Sequence, residues 1–260
     1  MVTRHEAVST DGEIIPSTQV GPASGNGDAP VYLTAYGGFG LSLLPYSNSS
    51  IGKLWLERGG TCVVANIRGG GEFGSRWHDA GRRQGKRLTH DDFAAVADDL
   101  VRRGITQPRR IAAEGGSNGG LLIANMLTRY PELFGALFCT IPLVDMRRYT
   151  KLLAGASWID EYGDPDMPED WTFLRDISAY HAAAPGQPLS ADPDRHHKAR
   201  RARAPGPCAQ DGRKAAGSRL SRLLLRAQRG RARLRQGQSG ASRIHRPGQQ
   251  FPSQCDRLAS

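Results

Sequence analysis

"RIAAEGGSNGGLLIANMLTRYP", residues 110–131, decides the reading of this 260-residue chain. Its first part, "RIAAEG", is a short apolar run of the kind that becomes a buried parallel strand. Its second part sets Leu121, Leu122, Met126 and Leu127 on one helical face and closes at "RYP". Between them, Gly115-Gly116-Ser117-Asn118-Gly119 fits G-x-S-x-G. The glycines allow a tight, strained turn that no bulky neighbour could occupy, and the turn pushes the Ser117 hydroxyl out above the sheet. At the first turn of the helix the Asn118 amide N–H then points to where a tetrahedral oxyanion would form. The competing reading is a glycine-rich strand-to-helix turn with an incidental serine. Strand, turn and helix in this order favour a nucleophile, and a nucleophilic serine needs a base and an acid downstream.

Working outward, "VYLTAY" (31–36), "TCVVANI" (61–67) and "GALFCTIP" (135–142) are further strand-like runs. "THDDFAAVADDLVRRG" (89–104) sets Phe93, Val96, Leu100 and Val101 on one face, with Thr89 as a possible N-cap and arginines before Gly104, and predicts an amphipathic helix. The order β-β-α-β-α-β predicts a doubly wound, mostly parallel α/β sheet. Gly69, Gly71 and Gly74 satisfy G-x-G-x-x-G after a strand, as a dinucleotide site would. "SRWHDAGRRQGKR" follows where an apolar helix should begin, so this stretch reads as a loop on the active-site side of the sheet.

Charge divides the chain. Residues 1–188 carry 18 basic and 21 acidic side chains, whereas 189–260 carry 17 basic and 4 acidic, so the net charge of +10 is a property of the tail. The tail has no tyrosine, tryptophan or glutamate, and Phe251 is the one phenylalanine in it, too little apolar surface to offset its chain entropy. The expected organisation is a lead-in at 1–28, a partial α/β domain at 29–188 and a basic, disordered tail at 189–260. Cys62, Cys139, Cys208 and Cys255 lie far apart with no C-x-x-C pair, and reduced, buried thiols in a cytoplasmic protein are expected. The N-terminus has no apolar h-region and no stretch approaches a membrane span. No metal site and no cofactor are expected.

Four blocks, "YGGFGLSLLPYSN", "ANIRGGGEFGSRWHDAG", "GGSNGGLL" and "WIDEYGDP", resemble in the same order the catalytic domain of the prolyl oligopeptidase family of serine peptidases, and the likeness runs from Thr10 to Pro188. The resemblance implies an α/β-hydrolase fold, Ser117 as nucleophile, and an oxyanion hole made by the Asn118 N–H and the Tyr36 hydroxyl. It also implies a pocket for the proline ring lined by Phe39, Trp158 and Tyr162, and short proline-containing peptides as substrates. From the residues alone, those three aromatics read as ordinary core. Family members carry a β-propeller that gates the site. This chain has none, and a propeller encoded upstream is expected.

In α/β-hydrolases the acid and then the histidine follow the serine, each after a strand. The resemblance places a "DDRV"-like loop and then a "GGHG"-like loop soon after Pro188, and neither is present, so the sheet is expected to be incomplete at its C-terminal end. Of the downstream histidines, His181 precedes the missing strand, and His196, His197 and His245 lie in the arginine-rich tail. Reading the last two bases of each codon with the first base of the next, wobble base free, permits "YPPILIATTKR" from Leu189, "DERVHPGHARKM" across Arg200 to Asp211 and "EGGHGYGKDNRE" across Arg229 to Gly240. The triad Asp would then be encoded across Arg200 and Arg201, and the His across Ala232 and Arg233. A shifted frame near the Pro188 codon, with a crippled peptidase as its product, is therefore expected. The other readings are a non-peptidase esterase, opposed by "YGG" at 36–38 where an "HGGG"-type motif would stand, and a nucleic-acid-binding module. For the latter the tail offers charge but no helix-turn-helix, zinc spacing or aromatic pattern, so no specific nucleic acid is expected.

Overall fold

A computed structural model of the chain describes residues 1–22, 27–44, 46 and 48–183. The basic tail at 189–260, and with it the shifted-frame reading, lies outside the described residues. Six strands form one mixed sheet in the order β1-β2-β4-β3-β5-β6: β1 (Val2–Val8), β2 (Ile14–Val20), β3 (Val31–Thr34), β4 (Thr61–Ala65), β5 (Ile111–Gly116) and β6 (Ala136–Thr140). β3 pairs parallel with β4 and β5, and β5 with β6, while β1 pairs antiparallel with β2 and β2 with β4. The four strands expected from apolar runs are present; β3, β4 and β6 are shorter than those runs, and β5 is as long as its run but shifted by one residue. The hairpin β1-β2 was not expected, because "VTRHEAV" mixes charged and apolar residues with only Ala7 buried. It belongs to the same sheet, so the lead-in is structurally part of the layer that follows it.

The helices are α1 (Ser49–Leu54), α2 (Ser75–Ala80), α3 (Lys86–Arg102), α4 (Asn118–Arg129), α5 (Ile159–Tyr162), α6 (Pro168–Ile177) and α7 (Ala179–Ala182). Alternate strand residues Val31, Leu33, Val63, Ala65, Ile111 and Ala113 turn to one face, where they pack with Phe93, Val96 and Leu100 of α3 and Leu122, Ile123 and Met126 of α4. The other face carries Tyr32, whose ring meets Trp55, just after α1, edge-on at 6.4 Å. This is the doubly wound arrangement of the α/β-hydrolase fold.

Thr89 is not the N-cap of α3. The helix starts one turn earlier, after Gly85, because Lys86 is drawn inside as the partner of a buried carboxylate; Thr89 sits within the helix with its hydroxyl buried. "SRWHDAGRRQGKR" is not all loop either: α2 docks Trp77 under it, the indole N–H donating to the Ile67 carbonyl at 3.0 Å. Cys62 and Cys139 are free and half-buried; burial raises both thiols, that of Cys139 to about 12. Among the described residues, no helix is long and apolar enough to cross a membrane, and no group of three His, Cys, Asp or Glu could hold a metal.

A buried ion network fastens the hairpin turn to the sheet. Arg68, just past β4, donates to Asp92 of α3 at 2.5 and 2.9 Å and to Asp11 at 2.6 and 3.0 Å, and Ser9 donates to Asp92 at 2.6 Å. The Asp92 side chain is fully buried and that of Arg68 nearly so. Burial pushes the Asp92 carboxyl up against the pull of Arg68, whereas hydrogen bonding to Arg68 holds the exposed Asp11 below its usual range. Arg68→Ala would strand a buried carboxylate, and the expected loss is about 3–5 kcal/mol, read as the shift in denaturant midpoint; a loss below about 1 kcal/mol would show that the network contributes no more than a surface pair.

Candidate active site

β5 delivers Ser117 into a turn whose dihedrals, φ 57° and ψ −117°, lie where side chains are rarely found. Such a residue costs on the order of 1–3 kcal/mol and persists only when its surroundings over-determine it. Here the Ser117 N–H donates to the Thr140 carbonyl at the end of β6 (3.1 Å), and its carbonyl accepts from the Leu121 N–H in α4 (3.0 Å). The serine is thus pinned between strand and helix. Asn118 opens α4, where the first N–H groups lack intrahelical partners and the helix dipole favours negative charge. Among the described residues no histidine or carboxylate is hydrogen-bonded to the Ser117 hydroxyl.

The segment after β3, Tyr36 to Phe39, runs alongside this turn without strand or helix structure. Its backbone is satisfied by side chains instead. Asn118 Nδ2 donates to the Tyr36 carbonyl at 2.6 Å, Lys86 Nζ donates to the Gly37 carbonyl at 3.2 Å, and Glu161 Oε1 accepts from the Phe39 N–H at 3.0 Å. The Tyr162 hydroxyl donates to Asn118 Oδ1 at 2.8 Å, so both ends of that amide are engaged. Phe39, itself at φ 57°, meets Trp158 edge-on at 6.4 Å and Tyr162 edge-on at 5.6 Å. The structure therefore gathers all the expected site residues into one continuous cluster. Phe39, Trp158, Tyr36 and Ser117 are half-buried, whereas Tyr162 is fully buried and backs Phe39 from behind. Burial pushes the Tyr162 phenol well above its ordinary range, which keeps it a neutral donor to Asn118.

Three residues here were not singled out from the sequence. Lys86 Nζ and Glu161 Oε1 form a buried ion pair at 2.6 Å, and His78 Nε2 lies 2.8 Å from Glu161 Oε2. Burial pushes the Lys86 ammonium down, partly offset by Glu161. Burial would push the Glu161 carboxyl up, but Lys86, His78 and the Phe39 N–H reverse this and hold it below the usual carboxylate range. The available signal was spacing: in "WIDEY", Glu161 lies one residue before Tyr162 on the same short helix and three after Trp158, which caps it. Lys86 was hidden in a run of surface-like arginines.

The glycines that mimic a dinucleotide motif have a packing reason. A Cβ on Gly69, at φ 90°, would sit 2.5 Å from the Gly37 carbonyl oxygen, so the two loops touch backbone to backbone. Likewise a Cβ on Gly38 would come within 2.6 Å of Asn118 Nδ2, a group with no freedom to withdraw. Gly38→Ala is expected to cost about 1–3 kcal/mol by displacing that amide, seen as a lower melting temperature; an unchanged melting temperature would contradict the tight contact.

A model of the prolyl oligopeptidase family matches residues 46–190. The chain is 45% identical to an uncharacterized peptidase of Sinorhizobium fredii over 69% of its own length and 25% of the relative's. It is 41% identical to a prolyl endopeptidase of Elizabethkingia miricola over 62% of the chain and 23% of the relative. Among solved structures, a post-proline cleaving enzyme from Rickettsia typhi superimposes with a TM-score of 0.68 at 40% identity, covering 70% of this chain and 27% of that one. The chain thus spans about a quarter of the length of the relatives it matches. With the strained serine turn, the sheet order and the family match in agreement, the chain belongs to the prolyl oligopeptidase family of serine peptidases.

Proposed function

We propose that the site is built to cleave short peptides after proline through an acyl-enzyme on Ser117. The observation that carries this is the serine held at φ 57° between β5 and α4 beside the Phe39–Trp158 aromatic pair. In this reading Ser117 Oγ attacks the prolyl carbonyl, and the developing oxyanion accepts from the Asn118 N–H and the Tyr36 hydroxyl. Phe39 and Trp158 form the apolar wall against the pyrrolidine ring, with Tyr162 supporting it. An imidazole must take the serine proton and return it to the leaving amine, and its orienting carboxylate must hold the tautomer.

In the reading proposed for this polypeptide, that histidine and aspartate are encoded in a shifted frame after Pro188. The family match supports it by ending at residue 190, just where the shifted reading begins. As translated, the chain would then keep binding and oxyanion stabilisation alone, which leave a residual on the order of 10³–10⁴ over water. A propeller encoded upstream would gate the complete enzyme. The esterase reading gains no support from the aromatic cradle, and for nucleic acid the charge of the tail predicts at most sequence-blind, salt-sensitive retention.

Restoring the second frame after Pro188 and offering proline-containing peptide amides beside short-chain esters tests the assignment. Prolyl amides are expected to be cleaved preferentially, with Ser117→Ala lowering kcat/KM on the order of 10⁴-fold or more. Preference for the esters, or cleavage that survives Ser117→Ala, would contradict it. The nucleotide sequence between the Gln187 and Ala191 codons tests the shift itself: the account expects one inserted base or two lost relative to an intact gene, and codons that agree with an intact relative's frame there would contradict it.

A further inference from the structure

We infer that Glu161 is a positioning residue for proline recognition: held by Lys86, it fixes the Phe39 backbone and so sets the wall against which the pyrrolidine ring would pack. This rests on the post-proline reading of the same site. Phe39 sits in the left-handed region at φ 57°, a conformation that a phenylalanine does not hold by itself. Its N–H has no ladder partner, since the chain here belongs to no strand or helix. It donates to Glu161 Oε1 at 3.0 Å, its one acceptor among the described residues, and the same oxygen accepts from Lys86 Nζ at 2.6 Å.

The arrangement ties recognition to the oxyanion side of the site. Lys86 also donates to the Gly37 carbonyl, two residues before Phe39 and one after Tyr36. Its ammonium lies 5.4 Å from the centre of the Tyr162 ring, which packs on Phe39 from the other side. His78 occupies the second oxygen of Glu161 at 2.8 Å. One carboxylate therefore joins the loop after β3, α2, the start of α3 and α5. Charge alone would not require this geometry, because a buried ion pair can be replaced by apolar side chains at little or no cost in stability. The part that apolar side chains cannot replace is the acceptor for the Phe39 N–H.

Two double variants of the full chain separate the two roles. Lys86→Met/Glu161→Gln removes both charges and keeps a carbonyl acceptor next to Phe39, whereas Lys86→Met/Glu161→Leu removes both charges and the acceptor. Circular dichroism and melting show whether each folds. Amide hydrogen exchange at Phe39 and the affinity for benzyloxycarbonyl-alanyl-proline, followed by the indole N–H resonance of Trp158, report on position. In the Leu variant, Phe39 exchange is expected to accelerate by at least about tenfold and affinity to fall by about tenfold at a melting temperature matching the Gln variant. The Gln variant is expected to stay within about threefold of the unsubstituted chain on both counts. Equal affinity and equal Phe39 exchange in the Gln and Leu variants would overturn the role of Glu161 alone. Should the Leu variant fail to fold, the Gln variant decides: slow exchange and retained affinity support the inference, and loss of both with an intact fold overturns it. No binding of the dipeptide by the unsubstituted chain would overturn the post-proline reading, and this inference with it.

Discussion

The hydrogen bond from the Phe39 N–H to Glu161 Oε1, 3.0 Å long and made to a carboxylate that sits almost entirely withdrawn from water beside Lys86, is the constraint on which the geometry of the site depends. A segment without secondary structure has no ladder to hold it, yet Tyr36 and Phe39 must each keep one orientation. The fold solves this with side chains anchored elsewhere: Asn118 from α4, Lys86 from α3 and Glu161 from α5 each bind one backbone group of the segment. A buried pair is a weak device for stability, because the desolvation it requires offsets most of its attraction. Its value here is positional. It brings a carboxylate into a place where the backbone of a loop can use it.

The same economy appears at Ser117, the proposed nucleophile. The strain at Ser117 is small beside the burial energy of the apolar layer beneath it, where α3 and α4 pack on the alternate residues of β3, β4 and β5. A second cluster, Leu121, Met146, Tyr149, Tyr162, Leu174 and Ile177, lies behind the aromatic cradle and joins α4 to α5 and α6. α6 is in turn held to the approach to α3 by Arg83, which donates to both oxygens of Asp170 at 2.8 Å. Ser117 and the Phe39–Trp158 pair are therefore mounted on different parts of the core, and the polar anchors set their relation.

Much of this was legible in the sequence, and the limits follow from what periodicity reports. The parallel strands are buried on one or both faces and show as apolar runs; α3 and α4 show as amphipathic periods with glycines at their ends. Ser117, with its glycine neighbours, carries a local signature because the backbone there demands it. The β1-β2 hairpin gave no such signal, since an edge strand half in water mixes polar and apolar residues. Thr89 looked like a cap because a threonine before two aspartates usually is one. The helix extends past it because Lys86 has a buried partner 75 residues away, a contact that no local pattern encodes. Glu161 and His78 were missed for the same reason: charged side chains in a sequence read as solvent-facing, and only the fold shows three of them meeting.

In the proposed reading, the described part of the chain is one half of a catalytic device, a poised hydroxyl with its oxyanion donors and its aromatic wall, and the imidazole is encoded elsewhere. The rate at which a fluorophosphonate modifies Ser117 measures that condition most directly, because phosphonylation needs the hydroxyl activated by its base and needs no peptide to be recognised. Fast labelling mapped to Ser117 is expected when the frame after Pro188 is restored, and labelling slower on the order of 10³-fold or more in the chain as it stands. Equal rates in the two proteins, with the adduct on Ser117, would contradict that reading.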